Sequence, residues 1–208
     1  MSEKWIYFFG DGSAEGRGDQ KELLGGKGAG LAEMSGLGVP VPPGFTLTTE
    51  ACIHYHANGK RYPDGLESQF EEQLRRLEEL QGKKFGDPQN PLLLSVRSGG
   101  PVSMPGMMDT VLNLGLNGEI VEAQIAAGVD PRFIRDCYRR LLTMYGDVVL
   151  GVPHSSFEKV LAEVREEEGV DTDYEISAEG LGRIVEAFEE IIERSGKPFP
   201  TEPIDQLW

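Results

Sequence analysis

The chain has 208 residues, 39% of them hydrophobic and 26% charged, which is globular composition long enough for one or two packed cores and excludes disorder as the default state. With 20 basic against 35 acidic side chains, the net charge of −15 opposes any nonspecific hold on nucleic-acid phosphates. An anionic ligand must instead be caught by a few placed cations and backbone N–H groups.

Cys52 and Cys137 stand far apart with no C-x-x-C spacing, so the sequence carries no sign of a disulfide framework or a zinc site. No apolar run approaches the ~18 residues of a membrane span, and residues 1–10 lack a signal-peptide pattern. The expectation is a soluble, cytoplasmic protein with neither nucleic acid nor membrane as partner.

In chain order, Trp5 to Phe9, Gly44 to Thr48 and Leu92 to Val96 are short apolar runs between glycine and proline turns and predict strands. One helix is expected from near Gly26 to the Gly36–Gly38 breaker. A second is expected from Asp64, as its cap, to Leu80, with Leu66, Phe70, Leu74, Leu77 and Leu80 as its stripe.

From about Asn117 the pattern turns helical. Asp130-Pro131 reads as a cap followed by proline in the first turn, ahead of Phe133, Ile134, Cys137, Tyr138, Leu141, Leu142 and Tyr145. Ser155-x-x-Glu158 reads as a capping box before Phe157, Val160, Leu161 and Val164. The last stripe is Leu181, Ile184, Val185, Phe188, Ile191 and Ile192, stopped by Gly196-Lys-Pro198. The expected division is an α/β part over 1–116, a helical part over 117–203, and 204–208 as the start of a continuation cut short.

Two glycine-rich stretches are candidates for chemistry. In G-G-K-G-A-G-L-A-E-M at 25–34, Lys27 lies where the chain enters a helix, so its ammonium and the helix N-terminus can converge on a phosphate. The spacing is neither a Walker A loop nor G-x-G-x-x-G, and a flexible turn with a solvated lysine is the plainer reading of the local sequence. In S-V-R-S-G-G-P-V-S-M-P-G-M-M-D-T at 95–110, Arg97 ends a strand and a Gly, Ser and Pro loop follows. A guanidinium and backbone N–H groups there suit a polyphosphate, and an arginine paired with a carboxylate below a turn fits equally. The loop methionines either pack over a ligand or plug into the core, and Asp109 either accepts from a substrate hydroxyl or fixes the loop.

His54-x-His56 places its rings on different faces of a helix and lacks a third ligand, so no metal site is expected. His154 reads as a surface residue without a carboxylate partner. The acids from Glu163 to Glu168 and the pair Glu189-Glu190 read as solvated helix faces.

Taken together, G-G-K-G-A-G-L-A-E-M at 25–34, G-V-P-V-P-P-G-F at 38–45, S-V-R-S-G at 95–99 and S-M-P-G-M-M-D-T-V-L-N-L-G-L-N at 103–117 resemble the pyruvate phosphate dikinase family. R-R-L-L-T-M-Y-G-D-V-V-L-G-V at 139–152 and G-K-P-F-P at 196–200 extend the resemblance in the same order. The S-M-P-G-M-M-D-T run separates it from the related phosphoenolpyruvate synthases, and Gly99-Gly100-Pro101 is a small departure from the family pattern.

The resemblance implies an α+β fold: the first half of an ATP-grasp-like nucleotide-binding domain with an all-helical inserted subdomain. It implies that Lys27 and Arg97 contact the ATP phosphates and that Gly99 to Thr110 form a phosphate-covering loop, with Gly99, Gly100, Ser103, Met104, Gly106, Met108, Asp109 and Thr110 in the ATP site. Mg²⁺ is expected with ATP, its carboxylate ligands lying outside these residues. The complete enzyme converts ATP, phosphate and pyruvate to phosphoenolpyruvate, AMP and diphosphate through a carrier histidine, with a homodimer among its possible assemblies. No carrier-type segment surrounds any of the three histidines, so the chain is expected to be an N-terminal piece that binds ATP phosphates without turnover of its own. The competing reading is a stand-alone module that binds nucleotide or a partner; a third is that the helical stripes mediate assembly.

Overall fold

In a computed structural model, residues 3–99 and 109–208 are described. The fold is a mixture of helices and small sheets, α+β in class. Its chain packs into two compact units.

The first unit runs to Gly82 and takes in the segment beginning at Ser98. Strand β1 (Ile6–Gly10) lies between β2 (Ser13–Ala14) and β3 (Gly44–Leu47), both antiparallel to it, with Tyr7 opposite Thr46 and Phe8 opposite Phe45. Helices α1 (Lys21–Gly36), α2 (Thr49–Ala57) and α3 (Leu66–Gln81) complete the unit. Trp5, Ile6 and Phe8 are buried, and α3 is tied to β1 where Gln69 Oε1 accepts from Trp5 N at 2.8 Å and from Ile6 N at 3.2 Å. Arg76 of α3 lies over the Phe8 ring at 3.8 Å and donates to Glu15, whose carboxylate also accepts from Phe8 N.

Three expectations change here. Gly65, at φ 82°, occupies the cap position of α3 with no side-chain cap, and Asp64 instead offers its carbonyl to the Trp5 indole at 3.1 Å. A left-handed residue before the first turn favours glycine, so the boundary is set by Gly65 rather than by the Asp64 carboxylate. Leu80 is 41% exposed while Leu66, Phe70, Leu74 and Leu77 are buried, because α3 outruns the surface it packs on. Helix α2 has no counterpart among the predicted elements: only Ala51 of it is buried, so it carries no apolar stripe to read. Its signal is Thr48, which accepts from Ala51 N at 3.2 Å as an N-cap.

The second unit joins Lys83–Arg97 to Asp109–Trp208. Strands β4 (Lys84–Phe85) and β5 (Pro91–Leu92) pair in parallel; β6 (Leu94–Arg97) and β7 (Thr110–Leu114) pair antiparallel with an irregularity between Leu94 and Val96. Helices α4 (Gly118–Ala126), α5 (Pro131–Met144), α6 (His154–Glu168) and α7 (Ala178–Arg194) follow, with a π-helical turn over Tyr145–Val149. One core unites them with β7: Val111, Leu114 and Leu116 are buried with Leu141, Phe157, Leu161, Leu181 and Phe188. Packing thus divides the chain at different points from the change of sequence character near residue 117.

Asp130 caps α5 by accepting from Arg132 N at 2.8 Å with Pro131 in the first turn, as expected. Phe133 departs from its stripe at 59% exposed. The Ser155–Glu158 capping box does not form: α6 begins at His154 behind Pro153, without a side-chain cap. A capping box forms instead at Thr172 and Glu175, and Ser177 caps α7 through Gly180 N. Proline at the cap position carries no side-chain acceptor, and Glu158 is drawn to His154 instead.

Candidate phosphate-contact residues

Helix α1 is two helices joined at a break. Gly25 has φ 69° and ψ 166°, so the helical run restarts at Gly26 and Lys27 falls in its first turn. Only glycine adopts that conformation cheaply, and a restarted helix presents N–H groups that have no intrahelical partner. Lys27 is half-buried and its Nζ donates to the Ser98 carbonyl at 3.1 Å. The ammonium thus has a backbone oxygen as partner, in a contact exposed to solvent.

Gly28 and Ala29 are buried beneath Lys27. A Cβ placed on Gly28 would stand 2.7 Å from Thr46 Cγ2 and 3.0 Å from its hydroxyl, so glycine here permits close approach of α1 to β3. Thr49 Oγ1 donates to the Glu22 carbonyl on the other side of the Gly25 break. The Ser98 carbonyl at Lys27, Thr46 at Gly28 and Thr49 at Glu22 are contacts of this turn that the sequence does not single out. Their legible trace is only the run of threonines 46, 48 and 49 at the end of the strand and just past it.

In the second unit, Arg97 ends β6 directly opposite Thr110 at the start of β7, so the β6–β7 ladder brings the two ends of the second glycine-rich stretch together. Arg97, Gly99 and Asp109 are exposed and Thr110 is half-buried. Gly100, Ser103, Met104, Gly106 and Met108 lie outside the described residues.

The rest of the 109–117 run is structural. Asn113, at φ 61°, donates to the Cys137 carbonyl at 2.9 Å, and Asn117 caps α4 by accepting from Ile120 N at 2.8 Å. Gly115, at φ 104°, has no room for a side chain between Phe85 and the Leu92 carbonyl. Gln206 accepts from Gly115 N at 2.9 Å and donates to the Leu116 carbonyl at 2.8 Å.

Among the described residues no group of three or more His, Cys, Asp or Glu side chains is arranged to hold a metal ion, and no helix is long and apolar enough to cross a membrane. His154 does have carboxylate partners, contrary to the sequence reading: Asp147 stands 3.3 Å from Nδ1 and Glu158 3.4 Å from Nε2. The π-helical turn that carries Asp147 toward it was not predictable from spacing. Two members of the acidic runs also have internal work. Glu168 accepts from Ser177 N and Oγ at 2.8 and 2.7 Å, and Glu189 accepts from the buried Tyr138 hydroxyl at 2.8 Å. Burial, and then the Glu189 carboxylate, push the Tyr138 phenol far above its ordinary value.

Residues 21–77, which include the Gly25 break and Lys27, match the family model described as the AMP/ATP-binding domain of pyruvate phosphate dikinase. Those residues are thus similar to a nucleotide-binding domain of that family. The chain is 51% identical over 206 residues to the pyruvate, phosphate dikinase of Rhizobium meliloti (strain 1021), covering 99% of this chain and 23% of that protein. It is 50% identical to the chloroplastic enzyme of Flaveria pringlei, with 99% and 22% covered, and 50% identical to the enzyme of Clostridium symbiosum, with 98% and 23% covered. Along essentially its whole length the chain is similar to the N-terminal region of pyruvate phosphate dikinases, as its motifs imply. It spans under a quarter of the length of these relatives.

Proposed function

We propose that this chain supplies the phosphate-holding part of an ATP-grasp-like nucleotide site, with Lys27 and Arg97 contacting the ATP phosphates and Gly99 to Thr110 covering them. The observation that carries the reading is the Lys27 ammonium, fixed in the first turn of a restarted helix and already bonded to a backbone oxygen. A phosphate oxygen is a stronger acceptor for that ammonium than a neutral carbonyl, and the helix N-terminus adds its own partial positive charge. Arg97, with Thr110 opposite it, adds a planar guanidinium at the base of the covering loop.

In a dikinase these groups would neutralise charge and orient the nucleotide while phosphoryl transfer from ATP, with phosphate and pyruvate as further substrates, proceeds through a carrier histidine supplied elsewhere. Phosphoryl transfer depends mainly on such positioning and charge neutralisation. Mg²⁺ would arrive with ATP, its carboxylate ligands supplied by other groups. The strand-rich and helical parts would then be subdomains of one nucleotide-binding domain in the cytoplasm.

Calorimetric titration with Mg-ATP of the protein beside Lys27→Ala and Arg97→Ala tests the proposal. Loss of a charge-assisted contact worth about 1.5–3 kcal/mol should weaken binding roughly 10- to 100-fold in each variant. Equal affinity in all three proteins would overturn it. Tight binding without any phosphoryl transfer, even in a protein extended to the relatives' full length, would favour the stand-alone module.

A further inference from the structure

The break at Gly25 leaves Lys27 on a short turn whose position must be fixed by something other than a continuous helix. Two contacts from one segment do this. Upstream of the break, the Thr49 hydroxyl holds the Glu22 carbonyl; downstream, Thr46 packs so closely on Gly28 that no methyl group fits between them. The segment bearing both threonines is itself anchored. Thr46 lies opposite Tyr7 in the β1–β3 ladder, Thr48 N donates to the Trp5 carbonyl at 2.9 Å, and the Thr48 hydroxyl caps α2.

From this we infer that Thr46 and Thr49 are positioning residues: they grip the Lys27 turn from both sides of the Gly25 break and set where its ammonium stands. The consequence for nucleotide affinity rests on the phosphate-contact reading of Lys27, whereas the placement of the ammonium does not. A shift of about 1 Å in a binding cation is enough to cost roughly tenfold or more, so small changes in this grip should reach the ligand.

The test compares Gly28→Ala, the double variant Gly28→Ala/Thr46→Ala, Thr49→Val and Thr49→Ser. Each is measured by the ¹⁵N-resolved NMR signal of the Lys27 ammonium, assigned with Lys27→Arg, and by calorimetry with Mg-ATP. Gly28→Ala forces a methyl against Thr46, and the double variant removes the Thr46 methyl and hydroxyl that it would strike. Gly28→Ala and Thr49→Val should therefore displace or broaden the Lys27 signal and weaken Mg-ATP binding about tenfold. The double variant and Thr49→Ser should restore both to within about threefold of the parent.

If Gly28→Ala fails to fold by thermal melting, the Thr49→Val and Thr49→Ser pair decides alone. An unchanged Lys27 signal in Thr49→Val, or a folded double variant no better than Gly28→Ala, overturns the inference. Should no protein bind Mg-ATP while the Lys27 signal follows the expected pattern, the positioning role stands and the phosphate reading fails. Loss of binding in Lys27→Ala alone, with Gly28→Ala and Thr49→Val binding normally, means that the phosphate reading stands and the positioning role fails.

Discussion

Glu168 ends a run of three glutamates that looks like a solvated helix face, yet its carboxylate receives both the backbone N–H and the hydroxyl of Ser177, with Arg183 at 3.2 Å. The Ser177 backbone bond, then the Ser177 hydroxyl and then Arg183, hold its pKa below the ordinary value of 4.5. A depressed carboxylate pKa means stability that is present above the unfolded value and lost as pH falls through the folded one. Glu168→Gln should therefore lower the melting temperature at pH 7, and the gap to the parent should close as pH drops below about 4.5; a gap independent of pH would show that the charge is irrelevant. Lys27 makes the same point at the same scale. Its type and its glycine neighbours are in the sequence, but the acceptor, Ser98, lies 71 positions away.

At the scale of elements, the long stripes were legible because burial repeats with the helical period. Leu181, Ile184, Phe188 and Ile192 are all buried as their spacing requires. Caps were legible where side chain and backbone are local, as at Asp130, and failed at Ser155, where Pro153 and a preceding π-helical turn changed the entry to the helix. The β7–α4 junction is legible in the sequence only as a motif. Its reason is Gln206, which satisfies the Gly115 N–H and the Leu116 carbonyl in the interior. Gln206→Ala leaves both groups buried and unpaired, so urea unfolding should show a loss of about 1–3 kcal/mol. A loss under about 0.5 kcal/mol would mean water takes over both bonds.

For the whole molecule, 35 acids against 20 bases make self-repulsion the main long-range term. The surface ion pairs, such as Arg194–Glu190 at 2.6 Å, are exposed and each contributes little. Screening should relieve the repulsion more than it weakens those pairs. The melting temperature at pH 7 should thus rise by about 2 °C or more between roughly 20 mM and 200 mM sodium chloride. A fall would mean that ion pairs, rather than the apolar cores, hold the fold. The cores are separate in each unit, and the second extends back across β7, which composition alone had grouped with the strands before it.

By itself the sequence determined the α+β class, most of the helical stripes, the Asp130 cap and the family resemblance. These depend on periodicity and on contacts between near neighbours, which the order of residues encodes directly. Only the tertiary structure decided that Lys27 sits on a helix restarted at Gly25, that Thr46 and Thr49 grip that turn, and that Glu168 and Glu189 are bonded rather than merely solvated. Each of those facts joins groups that no local pattern pairs, and close packing between them is fixed by the fold as a whole.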